Sequence, residues 1–114
     1  MVLALGEEIL AYGAVIFTGE PAYNDLTDGE WLTHGEYAVV HRLCVSEIFV
    51  GMGFAKQFML AAEAMAAERV PSIRIDTHPD NKIMRNTAES HGFKLCGTVY
   101  YPVNMKRVAF EKLL

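Results

Sequence analysis

Residues 40–69, VHRLCVSEIFVGMGFAKQFMLAAEAMAAER, decide the fold. They read as a strand, a tight glycine turn and a long helix. Residues 37–45 are rich in β-branched and aromatic side chains, and Gly51-Met52-Gly53-Phe54-Ala55 leads into a helix with no Gly or Pro before Pro71. Glycines at such a junction let the backbone approach a ligand closely, and a first helical turn leaves N–H groups pointing outward. That geometry suits a phosphate.

Upstream, residues 1–5 and 9–17 are apolar runs joined by Gly6-Glu7-Glu8, the pattern of a β-hairpin, with Gly13 weakening the second strand or marking a bulge. Residues 18–35 collect Gly, Pro, Asn and Asp around Tyr23 and Trp31. So long a connection is often functional, or its aromatics pin it to the core. Alternation along 37–45 places Val39, His41, Leu43 and Val45 on one strand face and Ala38, Val40, Arg42 and Cys44 on the other. On the helix, Phe54, Phe58, Ala61, Ala62 and Met65 form a core stripe with Lys56 and Glu63 opposite.

Pro71 stops that helix, and residues 73–77 form a short strand with Ile73, Ile75 and Thr77 on one side. Strand, helix, strand in this order makes a right-handed crossover, so the strands ending at Val45 and Thr77 should run parallel. His78-Pro79-Asp80 is a turn, Asp80 a candidate N-cap for a helix from Asn81 to about His91, and Gly92 its C′ residue. Residues 93–101 and 105–113 then form an antiparallel pair. One domain over 1–114 accounts for the chain, with no internal repeat.

Composition narrows the function. A net charge of −4 without a basic cluster argues against nucleic acid and eases the approach of cationic partners such as amines. Cys44 and Cys96 lie in expected strands without metal-ligand spacing and read as buried free thiols; no metal site is expected. The apolar start lacks the basic segment of a signal peptide, and no run reaches the ~18 apolar residues a membrane helix needs. A cytoplasmic location is the default.

The glycine turn resembles the acyl-CoA-binding signature of the GNAT superfamily of N-acetyltransferases, Arg/Gln-x-x-Gly-x-Gly/Ala, with Gly53 and Ala55 at its last two positions, Gly51 as an extra glycine and Val50 replacing Arg or Gln. Asn81 and Gly92-Phe93 match the spacing of the superfamily's later helix. The resemblance implies an α/β (α+β) fold: a mixed, mostly antiparallel sheet, two main helices and a parallel strand pair splayed at the CoA site. It implies acetyl-CoA as co-substrate, with Leu43, Cys44 and Val45 offering backbone groups to pantetheine. Val50, Gly51, Met52, Gly53, Phe54 and Ala55 would meet the pyrophosphate, Lys56 a CoA phosphate, and Asn81 the pantetheine or its thiol end.

The catalytic groups are less defined. Where many members carry a tyrosine acid, this chain has Ala88, so solvent, a helix end or a strand residue such as Tyr100 must serve. The superfamily's glutamate base falls on Val39. His41, two residues on, is a candidate base, since imidazole ordinarily titrates near neutrality; a packed histidine is the alternative. His78 and Asp76 sit where they could bind the acceptor or a relay water, unless Asp76 pairs with Arg74 or caps the turn.

The expected activity is acetyl transfer from acetyl-CoA to a primary amine of a small molecule or protein. The competing reading is a degenerate GNAT fold that binds acyl-CoA or a protein partner without turnover. A Rossmann or P-loop site fits poorly, because Lys56 stands where a third glycine is needed. The hairpin opens the sequence where superfamily members usually place a strand and two helices first. A homodimer covering the exposed sheet is therefore expected, unless the sequence is a fragment or residues 18–35 fold back as a lid around Trp31.

Overall fold

The computed structural model describes residues 2–5, 8–45, 53–102 and 104–114, the side chains of 2–5, 8–12, 42, 44 and 45 excepted. Six strands form one sheet: β1 (Val2–Leu5), β2 (Glu8–Ile16), β3 (Ala38–Val45), β4 (Ser72–Thr77), β5 (Lys94–Tyr101) and β6 (Met105–Leu113). Their spatial order is β1-β2-β3-β4-β6-β5. Every pairing is antiparallel except β3 with β4, which is parallel, as the crossover through helix α1 (Phe54–Ala67) requires. Helix α2 (Lys82–Ser90) connects β4 to β5.

Both helices lie on one face of the sheet. Phe58, Met59, Ala62 and Ala66 of α1 and Ala88 of α2 pack with Ala38, Val40, Ile73, Ile75 and Phe110 in the main core. Burying Phe58 and Phe110 completely contributes roughly 1.5–3 kcal/mol each. The buried stripe of α1 is rotated from the expected one: Ala61 and Met65 are exposed, and Glu63 turns inward to meet Lys112 Nζ at 2.5 Å. The ion pair with β6 offsets the desolvation of the carboxylate, which hydrophobic periodicity does not register.

The opposite face is covered by residues 18–37, which fold back over the sheet. A short 3-10 turn (Pro21–Asp25) buries Tyr23, which packs with Val39, Val99 and Ala109. Trp31 lies 5.1 Å from the Tyr23 ring and donates its Nε1–H to the Tyr23 carbonyl at 2.9 Å. Arg74 is held between the rings of Trp31 and Tyr37, 4.0 and 3.9 Å from their centroids. Its Nε is 3.2 Å from Glu111 Oε2. Glu111, fully buried, also accepts from the Leu32 amide at 2.7 Å, the Thr33 hydroxyl at 2.6 Å and the Ser72 hydroxyl. The aromatics therefore pin the loop over the sheet, the arrangement given above as an alternative to a covering second copy.

Helix α2 differs from its reading at one end and matches it at the other. The N-cap of α2 is Asn81, whose Oδ1 accepts the Met84 amide at 3.0 Å, and not Asp80. Asn81 has the non-helical backbone a cap needs. At the other end Gly92 adopts φ +84° after the C-cap His91, as expected of a C′ glycine.

Candidate active site

Pairing between β3 and β4 is confined to Ala38↔Ile73 and Val39↔Arg74; beyond these the strands separate. β4 continues to pair with β6 through Thr77, and β3 with β2 through Val45. The gap thus opens between two strands that are each held from the far side. A channel of about 150 Å³ occupies it on the helical face, lined by Val40, Leu43, Ile75, Thr77, Asn81 and Met84. A larger cleft of about 590 Å³ opens on the loop-covered face, lined by Ala14, Ile16, Glu20, His41, Tyr101 and Met105. Val40, Asp76 and Arg107 border both.

A β-bulge shapes the β3 side. Tyr12 pairs with Cys44 and Ala14 with His41, so Arg42 and Leu43 together oppose Gly13. The extra residue reverses the alternation. Leu43 consequently joins Val40 against the helical core, while His41 lies on the loop side; the expectation that they share a face is corrected. Gly13 is needed because a Cβ there would come within 2.9 Å of Phe58 Cζ and 3.3 Å of both His41 O and Leu43 Cα.

His41 Nε2 lies 3.0 Å from Glu20 Oε2, both side chains being 18% exposed. Glu20 is itself fixed, since its Oε1 accepts the Ala22 amide at 3.2 Å and its own amide donates to Tyr37 Oη at 3.3 Å. If Nε2–H is donated to Glu20, the neutral imidazole keeps its lone pair on Nδ1.

Asp76 gathers the other polar groups. Its Oδ2 accepts from Tyr23 Oη at 2.6 Å and Tyr101 Oη at 2.7 Å, and its Oδ1 lies 3.0 Å from Arg107 Nε. It does not pair with Arg74, whose carboxylate partner is Glu111. Burial, the hydrogen bond to Asp76 and that carboxylate's charge push the Tyr101 phenol well above its ordinary range. Burial and the Asp76 charge do the same to Tyr23. Both phenols therefore keep their protons and serve as hydrogen-bond donors.

The expected site residues divide clearly. His41 and Asp76 line the cleft, and Leu43 and Asn81 line the channel. Cys44 and Val45 pair with Tyr12 and Ala11 along β2, their side chains lying outside the description. Val50, Gly51 and Met52 lie outside the described residues. Gly53, at φ +82°, is the N-cap of α1 and has no side-chain cap; Phe54, Ala55 and the exposed Lys56 follow in the first turn. Asn81 commits Oδ1 to its cap, so its Nδ2 amine is the group with which it can donate to a ligand.

Two expected residues are not brought in. Tyr100 pairs with Lys106 on the helical face and is 48% exposed, whereas the next residue, Tyr101, faces the cleft. His78 stays exposed on its turn, accepting the Asp80 amide at Nδ1. Ala88, where a tyrosine acid was sought, is buried in the core. Glu20, Tyr101 and Arg107 are not singled out by the sequence reading; Arg107 and Glu111, four residues apart and so on one face of β6, are the signal that could have found the last. No group of three or more metal-ligating side chains occurs among the described residues.

A mixed sheet split between two parallel strands, with a helix led by Gly53 following the first of them, is the architecture that the GNAT resemblance implies. The model of the acetyltransferase (GNAT) family matches residues 1–93, and the chain belongs to that family. A GNAT-family acetyltransferase from Streptococcus agalactiae is 31% identical, with TM-score 0.83 over 93% of this chain and 60% of its own. A second, from Listeria monocytogenes, is 25% identical, with TM-score 0.69 over 94% of this chain and 59% of its own. The chain thus spans about 60% of the length of these relatives. Arabidopsis thaliana NAA60, solved in complex with acetyl-CoA, shares the fold at 11% identity, with TM-score 0.69 over 95% of this chain and 67% of its own. No curated protein matches the sequence.

Proposed function

We propose that this chain transfers the acetyl group of acetyl-CoA to a primary amine across the gap between β3 and β4. The observation that carries the reading is the early end of β3–β4 pairing, which leaves a channel and a cleft meeting at Val40, Asp76 and Arg107. Pantetheine takes the channel, adding backbone hydrogen bonds along Leu43, Cys44 and Val45 as a strand would, with Asn81 donating from Nδ2. Residues 50–55 meet the pyrophosphate, those from Phe54 onward through the first turn of α1, with Lys56 near a phosphate. The acceptor enters from the cleft.

In this reading Glu20 holds His41 so that Nδ1 takes a proton from the acceptor ammonium. The freed nitrogen attacks the thioester carbon, the N–C bond forms, the C–S bond breaks, and the thiolate takes the proton that nitrogen sheds as the amide forms. Positioning two reactants in adjoining cavities supplies much of the acceleration. Backbone N–H groups at the strand gap stabilise the transient oxyanion.

The alternative, an acyl-CoA-binding fold without turnover, is favoured by two departures, Val50 in place of Arg or Gln and the buried Ala88 in place of a tyrosine acid. Thiol release from acetyl-CoA across a panel of primary amines separates the two. Amine-dependent release supports transfer, and CoA binding without release supports the alternative. A cytoplasmic location and a two-fold dimer through the edge strand β1 belong to the same proposal. The edge position of β1 supports the dimer, and light scattering tests it.

A further inference from the structure

Among the described side chains, Arg107 is the one permanent cation lining either cavity, and it lines both. Its Nε is engaged by Asp76, which fixes one edge of the guanidinium plane. Neither Nη amine has a protein hydrogen bond among the described residues, and the side chain is 31% exposed at the cleft. An anchored guanidinium with an open edge is prepared for a planar anion, because two parallel N–H donors match a carboxylate's two oxygens.

The other charges of the cleft are arranged around this one. Asp76 is satisfied by Arg107 and two phenols, so it does not compete for an incoming ammonium. The remaining acidic group is Glu20, paired to His41. The cleft therefore holds a proton-accepting dyad and a separate anion-binding edge, with Ile16, Ala14 and Met105 as apolar wall. Its volume of about 590 Å³ is ample for an amino-acid-sized molecule.

We propose that the acceptor is a small amine that also carries a carboxylate, an amino acid with an apolar side chain, whose carboxylate is clamped by Arg107 while its ammonium meets His41. This rests on the acetyl-transfer reading for its chemistry but not for its binding geometry. A peptide amine whose nearest carboxylate is replaced by an amide lacks the anion Arg107 needs.

The test uses matched pairs: leucine against isopentylamine, and phenylalanine against 2-phenylethylamine, as acceptors for thiol release from acetyl-CoA. In parallel, calorimetry measures binding of the same four compounds to protein saturated with CoA. The expected result is a preference of about 10²-fold for each amino acid in kcat/KM, mirrored in affinity. In Arg107→Gln this ratio should collapse towards one, and Arg107→Lys should restore only part of it. Turnover without a preference in the parent protein overturns the carboxylate clamp and leaves acetyl transfer standing. Absence of turnover with the binding preference intact overturns acetyl transfer and keeps the clamp. A preference that survives in Arg107→Gln assigns the carboxylate to another residue and refutes the inference.

Discussion

Glu20, in the loop that covers the sheet, places its Oε2 3.0 Å from Nε2 of His41 on β3. The contact links the lid to the strand that borders the gap, so the geometry of the proposed base depends on the loop being closed. Removing the imidazole by His41→Ala should lower turnover by about 10²-fold or more with little change in CoA affinity. It should also abolish the loss of rate on the acid side that protonation of the base produces. Glu20→Gln should give a smaller loss, because an amide oxygen can still accept from Nε2 and orient the ring. Steady-state rates against pH check both. An acid limb that persists in His41→Ala would return His41 to a packing role.

The lid itself should be sensitive to acid through Glu111. Burial alone would raise this carboxyl, but hydrogen bonds from Ser72 and Thr33 and the Arg74 charge outweigh it and hold it below the ordinary range. A carboxylate depressed in the folded state contributes stability that is fully present above its unfolded value, ordinarily 4.5, and is lost as pH falls through the depressed folded value. Glu111→Gln leaves the Arg74 guanidinium buried without its counter-charge and should cost about 3–5 kcal/mol at neutral pH. Thermal unfolding from neutral pH downward should show the parent losing stability below pH 4.5 and the variant losing markedly less there.

Gly13 should tolerate no side chain. The Cβ of Gly13→Ala would press on Phe58 Cζ and on the β3 backbone at the bulge, at a cost of about 1–3 kcal/mol. Because the bulge sets which way His41 and Leu43 face, the variant should lose CoA affinity or turnover beyond what its stability loss explains. Denaturant unfolding paired with calorimetry checks this, and a fully stable, fully active variant would contradict the packing described at the bulge.

The helix start offers a separate probe of the phosphate site. Among the described residues a Cβ at Gly53 meets no atom within 4 Å, and its left-handed backbone strains any side chain, Asp less than most. Gly53→Asp should therefore keep the fold while setting a negative charge where a pyrophosphate is expected, and weaken CoA binding about tenfold or more. Circular dichroism and calorimetry on both proteins decide it.

How far these features were legible in sequence follows from their range along the chain. The strand from Ala38 to Val45, the helix from Phe54 to Ala67 and the span from Asn81 to Gly92 are local, so periodicity and capping chemistry reveal them. The faces of β3 were misjudged at Leu43 because the bulge is created by pairing with Gly13 on another strand. Tyr23 and Asp76 are separated by 53 positions, and Arg107 and Asp76 by 31, so no window on the sequence shows them meeting. Choosing Tyr100 over Tyr101 was an error of strand parity, which depends on where β5 is anchored to β6.

Every role proposed for the site depends on acetyl-CoA entering the gap between β3 and β4. Backbone amide shifts during titration with acetyl-CoA report that entry residue by residue. The largest perturbations should fall on residues 40–45, 53–56, 75–77 and 81–84, on the two sides of the gap and the starts of both helices. Saturable binding whose shifts avoid those segments, or no binding at millimolar acetyl-CoA, would contradict it.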